Sequence, residues 1–263
     1  MPICLLLLLL NNRNNRLSIN YILFLILASF AFYSFSSLEN LLLLVVSIAM
    51  NFVLSSISIG REVTKRRKLL VLLASLTLNL GVLIYFKYTL LDINPLTISR
   101  DFNTATEIIL PLGISFYTFQ QISYQIDCYW GKIKEINIKY YLLYVSFFPQ
   151  LVAGPIVNYL DMAPQYKNLE KHQVNWNVAY VFIALFTIGL FKKVAIADQL
   201  GKSVDRVYAS VSSGAPLAFL DAWAAAIAFP LQIYFDFSGY SDMACALAIL
   251  LGLKLPLNFH IGY

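Results

Sequence analysis

Long apolar runs separated by short polar stretches extend along the whole chain. Most of these runs reach the length of about 20 residues at which a helix crosses a bilayer. The eight runs cover 19–36, 41–59, 69–91, 108–126, 140–157, 174–191, 217–235 and 243–253. An apolar stretch at 2–10 is too short to span, and we interpret it as the end of a further membrane helix. The pattern predicts about eight or nine membrane elements.

Helix is the secondary structure that we expect for these runs. Backbone groups inside a bilayer must be hydrogen-bonded within the protein, and a helix achieves this within a single segment. None of the runs shows the alternation of apolar and polar residues that is typical of barrel strands. The sequence therefore predicts an all-α, polytopic transmembrane helical bundle, forming a single membrane domain over 1–263.

Composition supports a membrane protein and excludes other classes. Of the 263 residues, 59% are hydrophobic and 13% are charged, whereas a soluble domain carries about 25% charged residues. The net charge of +5 therefore does not indicate a nucleic-acid partner, and membrane lipid is the expected surrounding. The three cysteines are widely spaced and only two histidines are present, so we expect no metal site.

Lysine and arginine are concentrated in alternate polar stretches, which predicts that those stretches face the cytoplasm. One of them follows the run 174–191, and we expect it to be a loop that carries Lys192, Lys193, Lys202 and Arg206.

Two of the runs do not look like simple lipid-facing helices. In the first, polar side chains spaced three or four apart form one stripe: Ser115, Thr118, Gln121 and Gln125. This stripe either makes hydrogen bonds between helices or lines a tunnel. In the second, 147–156, the residues Pro149, Gly154 and Pro155 predict a broken or re-entrant helix. Such a break is tolerated where it lines a cavity or is buried in protein, and a loop at the membrane edge is the alternative.

The segment Tyr-Phe-Asp-Phe-Ser-Gly-Tyr-Ser-Asp-Met at 234–243 places two carboxylates between apolar runs. A charge within a bilayer costs about 2.5–3.5 kcal/mol on insertion scales. One interpretation is an interfacial turn in which Ser238 or Asp236 caps the next helix. The other is a functional site that lines a cavity. Asp236 and Asp242, six residues apart, would face different sides of a continuous helix and do not form a clear acid–base pair.

The catalytic motifs of other enzyme classes do not identify an active site in this chain. The chain has no Gly-x-Ser-x-Gly elbow and no glycine-rich phosphate loop. His172 lies in a polar stretch where we expect it to be solvated, and His260 lies near the last residue of the chain.

Four segments together resemble the bacterial membrane-bound O-acyltransferase (MBOAT) family, and most closely its alginate O-acetylation branch. The segments are Leu-Pro-Leu-Gly-Ile-Ser-Phe-Tyr at 110–117, Phe-Pro-Gln-Leu-Val-Ala-Gly-Pro at 148–155, Gly-Leu-Phe-Lys-Lys-Val-Ala-Ile-Ala-Asp at 189–198 and Tyr-Phe-Asp-Phe-Ser-Gly-Tyr-Ser-Asp-Met-Ala at 234–244. The resemblance extends over about 19–263, with the four segments in the family's order and spacing.

The resemblance implies a multi-pass enzyme of the bacterial cytoplasmic membrane. Such an enzyme passes an acyl group, here expected to be acetyl, from an acyl-CoA or acyl-carrier thioester to hydroxyls of a cell-envelope polysaccharide. No bound cofactor is implied, and a periplasmic or extracellular acyltransferase is the expected partner protein. The tunnel that the family places through the membrane would be lined here by Asp236, Ser238, Tyr240, Asp242, Asn258, Gln121 and Gln125.

The family's catalytic histidine lies in a Trp-His segment shortly after the Asn-Phe that corresponds to 258–259. We therefore expect that histidine beyond Tyr263, assign no catalytic residue within 1–263, and expect this chain to be the N-terminal part of a longer enzyme that is inactive alone. Two alternatives remain open. A non-catalytic membrane scaffold would show no acyl-donor binding, and a transporter with a polar-lined path would show substrate uptake.

Overall fold

The computed structural model describes residues 21–60, 63–88, 111–169 and 178–259. Regular secondary structure in these ranges is helical throughout, which confirms the predicted all-α class. The apolar stretch 2–10, His172 and His260 lie outside the described residues. The chain divides into two compact units, each with its own helices.

The N-terminal unit comprises the described residues of Ser18–Val152 and Val157–Glu170. The helices, in chain order, are α1 (Tyr21–Ser34), α2 (Leu38–Ile59), α3 (Lys65–Tyr88), α4 (Ile114–Tyr129), α5 (Ile138–Ser146), α6 (Phe148–Leu151) and α7 (Tyr159–Leu169). α2 packs on α1, α3, α4 and α5, and α1 also packs on α5 and α6.

The C-terminal unit comprises Ala153–Ile156 and the described residues after Lys171. It contains α8 (Ala179–Phe191), a π-helical segment (Lys192–Ala197), α9 (Asp198–Ser212) and α10 (Phe219–Leu250). The first three are consecutive and form one uninterrupted helical rod, Ala179–Ser212. α10 packs against all three parts of that rod.

Three helices of the described residues are long and apolar enough to cross a membrane: Leu38–Ile59, Lys65–Lys87 and Ala179–Ser212. Two boundaries predicted from the sequence are wrong. Lys192, Lys193, Lys202 and Arg206 lie on the rod and not in a loop. The runs 217–235 and 243–253 are largely one helix, α10, because Ala-rich sequence and internal packing carry the helix through the polar residues between them.

The predicted break at 147–156 is confirmed. α5 ends at Ser146, the single turn of α6 begins with Phe148 and Pro149, and 154–158 is not helical. The backbone of Gly113 lies directly against the carbonyl oxygen of Leu151 at the end of α6. Gly113 has a φ of 69° and is the N-cap residue of α4, which begins at Ile114.

The N-cap of α5 provides a test of local stability. The Asn137 side-chain oxygen accepts hydrogen bonds from the backbone N–H groups of Lys139 (3.0 Å) and Tyr140 (3.3 Å). We expect Asn137→Ala to lower the free energy of unfolding by about 1 kcal/mol, because these donors lose their partner. Asn137→Asp retains the acceptor and should unfold like the parent protein.

The buried free thiol of Cys128 reports unfolding of the N-terminal unit. With Cys4 and Cys245 replaced by serine, labelling of Cys128 by a thiol-reactive dye during heating in detergent measures stability. Equal labelling temperatures for Asn137→Ala and Asn137→Asp would show that the cap contributes nothing.

Candidate functional site

The polar segment 234–243 lies in the middle of α10. The interfacial-turn interpretation is therefore wrong, because neither Asp236 nor Ser238 stands at a helix end. Ser238 is completely buried, and Asp242 is partly buried. These polar side chains are buried on an otherwise largely apolar helix. They therefore need hydrogen-bond or ion-pair partners from another element.

Two glycines bring that element into backbone contact with α10. A Cβ atom built on Gly239 would lie 2.7 Å from the carbonyl oxygen of Gly189 on α8. A Cβ atom built on Gly189 would in turn lie 2.6 Å from the carbonyl oxygen of Gly239. The two helices therefore cross so closely that no side chain fits at either position. Small residues allow such close helix contacts in membranes.

The first two residues of the π segment supply the partners. The Lys192 ammonium group lies 2.6 Å from Asp242 Oδ2 and donates to Ser238 Oγ at 2.9 Å. The Lys193 ammonium group lies 2.6 Å from Asp236 Oδ1 and 2.9 Å from Asp198 Oδ1. We call Lys192, Ser238 and Asp242 the inner cluster, and Lys193, Asp198 and Asp236 the outer cluster.

The two clusters differ in exposure to their surroundings. In the inner cluster, the side chains of Lys192 and Asp242 are 26% and 16% exposed. In the outer cluster, the side chains of Lys193 and Asp236 are 39% and 52% exposed. The protein encloses the inner cluster more completely than the outer one, so the inner contacts matter more for holding side chains in place.

A lysine within hydrogen-bond reach of a serine hydroxyl is also the arrangement of a serine nucleophile with a lysine base. Such a lysine must be neutral to take the hydroxyl proton. Here Lys192 lies at the distance of a charge-assisted hydrogen bond from the Asp242 carboxylate and donates to Ser238. The arrangement can hold and orient Ser238 and Asp242, and it keeps a positive charge beside them.

The chain after α10 folds back beside the start of the polar segment. Gly252, at φ 82°, ends the helix, and the N–H of Leu253 donates to the carbonyl of Ala248 at 2.8 Å. The Phe259 ring then packs edge-on against Tyr234 and Phe237, with ring centres 5.8 and 5.6 Å apart. The neighbouring Asn258 is exposed, and Tyr240 is half-buried on α10.

Gln121 and Gln125 lie in the N-terminal unit, on α4, and both are buried. Gln121 donates to Ser47 Oγ at 3.1 Å and accepts from the Tyr141 hydroxyl at 3.3 Å. Gln125 donates to the backbone carbonyl of Asn51 at 2.6 Å. These contacts are hydrogen bonds between helices, one of the two roles that the polar stripe suggested. A place in a tunnel wall stays a prediction for both residues.

Asn51 is the centre of this buried network on α2. Its Oδ1 accepts from Asn79 Nδ2 at 2.8 Å and from Ser75 Oγ at 3.0 Å, both on α3. Its Nδ2 donates to Asn79 Oδ1 at 3.1 Å. In the described part of the chain, no group of three or more His, Cys, Asp or Glu residues could hold a metal ion.

Sequence reasoning missed Lys192 and Lys193 as site residues because it placed them in a loop. The available signal was their position between Gly-Leu-Phe and Val-Ala-Ile-Ala at 189–197, inside an apolar stretch and within one of the four family segments. Two adjacent charges in such a stretch require partners. The partners could be identified only from the tertiary structure, since Asp236 and Asp242 are more than 40 residues away.

Buried polar clusters within an apolar helical pair are typical of multi-pass membrane proteins with a site inside the bilayer. The model of the membrane-bound O-acyltransferase family matches residues 25–260. The chain belongs to this family.

Individual relatives agree with this assignment. The chain is 37% identical to the peptidoglycan O-acetyltransferase of Helicobacter pylori, over 92% of this chain and 50% of that protein. It is 35% identical to a protein of Pseudomonas aeruginosa named "Probable alginate O-acetylase AlgI", over 92% of this chain and 46% of that protein. A more distant similarity, 24% identity over 67% of this chain and 43% of the relative, connects it to the teichoic acid D-alanyltransferase of Streptococcus thermophilus. The chain thus spans about half the length of the curated relatives that it matches.

Proposed function

We propose that this chain is part of a membrane O-acyltransferase that transfers an acetyl group to hydroxyls of a cell-envelope polysaccharide. The observation that carries the proposal is the inner cluster. It joins two of the four family segments, 189–198 and 234–244, through Lys192, Ser238 and Asp242. The names of two relatives, a peptidoglycan O-acetyltransferase and an alginate O-acetylase, support acetyl as the group and a polysaccharide as the acceptor.

In this proposal, a cytoplasmic acyl-CoA or acyl-carrier thioester is the donor, and the enzyme lies in the bacterial cytoplasmic membrane. Asp236, Ser238, Tyr240, Asp242 and Asn258 line the acyl-transfer tunnel. A dry tunnel favours transfer over hydrolysis of the thioester. A periplasmic or extracellular acyltransferase partner then passes the group to the polysaccharide.

The family resemblance supplies the remaining catalytic group, a histidine expected after Tyr263. A histidine near its ordinary pKa can act as general base on a hydroxyl or thiol. The 263 residues alone are then inactive. Expression of 1–263 in a strain that lacks the gene should leave the envelope without restored acetyl esters, whereas the gene with its downstream sequence should restore them.

Tyr240 provides a test of the tunnel. Tyr240→Phe removes only the hydroxyl group from a half-buried side chain. We expect acetyl transfer in membranes to fall roughly 10-fold, because a hydroxyl group of the proposed tunnel wall is lost. Acetate released from purified envelope polysaccharide by mild alkali measures the product.

Tyr180→Phe is the matched control, because Tyr180 is exposed on α8. Equal acetyl content for the two variants would remove Tyr240 from the tunnel. If deletion of the gene leaves polysaccharide acetylation intact while proteoliposomes take up a solute, the transporter alternative replaces the proposal. A protein that binds a partner acyltransferase but no acyl donor would be a scaffold.

A further inference from the structure

We infer that Lys192 is a positioning residue of the acyl-transfer site. It holds Ser238 and Asp242 of α10 in one orientation from the neighbouring helix. The inference rests on the proposed function for its catalytic consequence. The geometry of the inner cluster supports it independently of the reaction.

The contact pattern of Lys192 spans one turn of α10. Ser238 and Asp242 are four residues apart, so their side chains lie one above the other on the same helix face. The single ammonium group of Lys192 reaches both, at 2.9 and 2.6 Å. One lysine therefore determines the orientation of two polar side chains that would otherwise be held by α10 alone.

The π segment makes this contact possible. Adjacent side chains diverge by about 100° on an α-helix, yet Lys192 and Lys193 both reach α10, on either side of the face that carries Gly239. The rod switches to π geometry at Lys192, and single-turn π segments within α-helices frequently occur at functional sites. The glycine contact brings the rod close enough for these side chains to cross the interface.

The charge and burial of the two clusters favour a positioning role for Lys192 over a role in anion binding. The two clusters together contain two lysines and three aspartates, so their formal charge is negative and they do not form an anion site. Loss of Lys192 leaves Ser238, which is fully buried, and the partly buried Asp242 without their donor. Both side chains must then reorient, because a buried carboxylate without a partner is unfavourable.

Lys193 is the matched control in the same rod. Its loss leaves Asp236 and Asp198, whose side chains are 52% and 42% exposed, so the protein encloses them less than it does Asp242, which is 16% exposed. The inference therefore predicts unequal effects for two adjacent lysines that both make ion pairs. A role limited to tying the helices together predicts similar effects for both.

The activity arm uses the full chain as its gene encodes it, in native membranes. Lys192→Met, which retains the length and apolar stem, should lower kcat roughly 10- to 100-fold with KM for the donor within about threefold. Lys193→Met should lower kcat at least about threefold less than Lys192→Met does, and Lys192→Arg should recover most of the loss. In a Lys192→Met/Asp242→Asn variant, the loss should not exceed that of Lys192→Met, because the unpaired charge has been removed.

A labelling arm separates this inference from the proposed function. A water-soluble carbodiimide and an amine should modify Asp242 slowly in the parent and in Lys193→Met, and quickly in Lys192→Met, as read by mass spectrometry. If the parent protein transfers no acyl group, the proposed function fails and the labelling arm still decides the positioning role.

Labelling of the buried Cys245 thiol at low temperature checks that each variant is folded. If Lys192→Met makes that thiol reactive, Lys192→Gln is used in its place. Equal losses for Lys192→Met and Lys193→Met, or an Asp242 carboxylate that stays protected without Lys192, would overturn the inference.

Discussion

Replacement of Gly239 by alanine is expected to destabilise the C-terminal unit severely. The added methyl group would lie 2.7 Å from the carbonyl oxygen of Gly189 and 3.1 Å from the backbone nitrogen of Lys193. Neither is the flexible end of a side chain, so α10 and the rod must move apart. We expect a loss of about 3 kcal/mol, at the upper end of the range for overpacked sites.

Separation of the helices also removes the contacts that depend on their close approach. The inner and outer clusters both join α10 to the rod through lysine side chains of limited reach. Gly239→Ala should therefore lose acyl transfer together with stability. In a helix with free space around the position, alanine in place of glycine raises stability by about 1 kcal/mol. The change expected for Gly239→Ala has the opposite sign.

Gly81 supplies the control for this prediction. It lies within α3, and a Cβ atom built there meets nothing within 4 Å. Gly81→Ala should leave stability unchanged or raise it. Heating in detergent with Cys245 as the only cysteine measures the C-terminal unit, and heating with Cys128 as the only cysteine measures the N-terminal unit. Labelling of Cys245 at an unaltered temperature in Gly239→Ala would contradict the close helix contact.

Replacement of Asn51 by leucine is expected to produce the largest loss in the N-terminal unit. The variant removes the acceptor for Asn79 Nδ2 and Ser75 Oγ, and the donor for Asn79 Oδ1. Asn79 Nδ2 still donates to the backbone carbonyl and the hydroxyl of Ser75, so the stranded groups are Asn79 Oδ1 and the Ser75 hydroxyl hydrogen. Both residues are buried, and each stranded group costs about 1–3 kcal/mol in proteins generally. Since single hydrogen bonds between membrane helices average about 0.6 kcal/mol, we expect a total near the lower end, about 2 kcal/mol.

A second substitution distinguishes a lost network from a poorly fitting side chain. In Asn51→Leu/Asn79→Leu, both partners are apolar, and part of the lost stability should return. Ser56→Ala is the control, because the Ser56 hydroxyl is exposed and bonds only to Phe52 of its own helix. Labelling of Cys128 during heating measures these variants and the single Asn79→Leu variant. A double variant whose loss equals the sum of the separate Asn51→Leu and Asn79→Leu losses would exclude the network.

Several features of the fold and site were predictable because they depend on local chemistry. Apolar runs in a chain with few charges predicted the all-α class, and it is confirmed. Proline and glycine at 149, 154 and 155 predicted the break after α5, since proline cannot donate a backbone hydrogen bond. The spacing of Gln121 and Gln125 predicted a polar stripe that either bonds other helices or lines a tunnel, and their partners on α2 and α5 agree with the first alternative.

Other features were not predictable from local signals. A polar segment such as 234–243 can end a helix or lie within one. Here it lies within α10, because its side chains contact the rod. The residues after Phe191 likewise carry charge that is typical of a loop, yet they remain helical because Lys192 and Lys193 find carboxylates on α10.

By itself, the sequence determined the class of the protein, its placement in a membrane, the break after α5 and the four segments that identify its family. These follow from composition, from backbone hydrogen bonding in lipid and from residue types at fixed spacing. Only the tertiary structure decided which charges meet. Lys192 with Asp242, and Gly189 with Gly239, are separated by 50 residues along the chain. Their contacts depend on how closely two helices approach each other, and the sequence of either helix alone does not determine that distance.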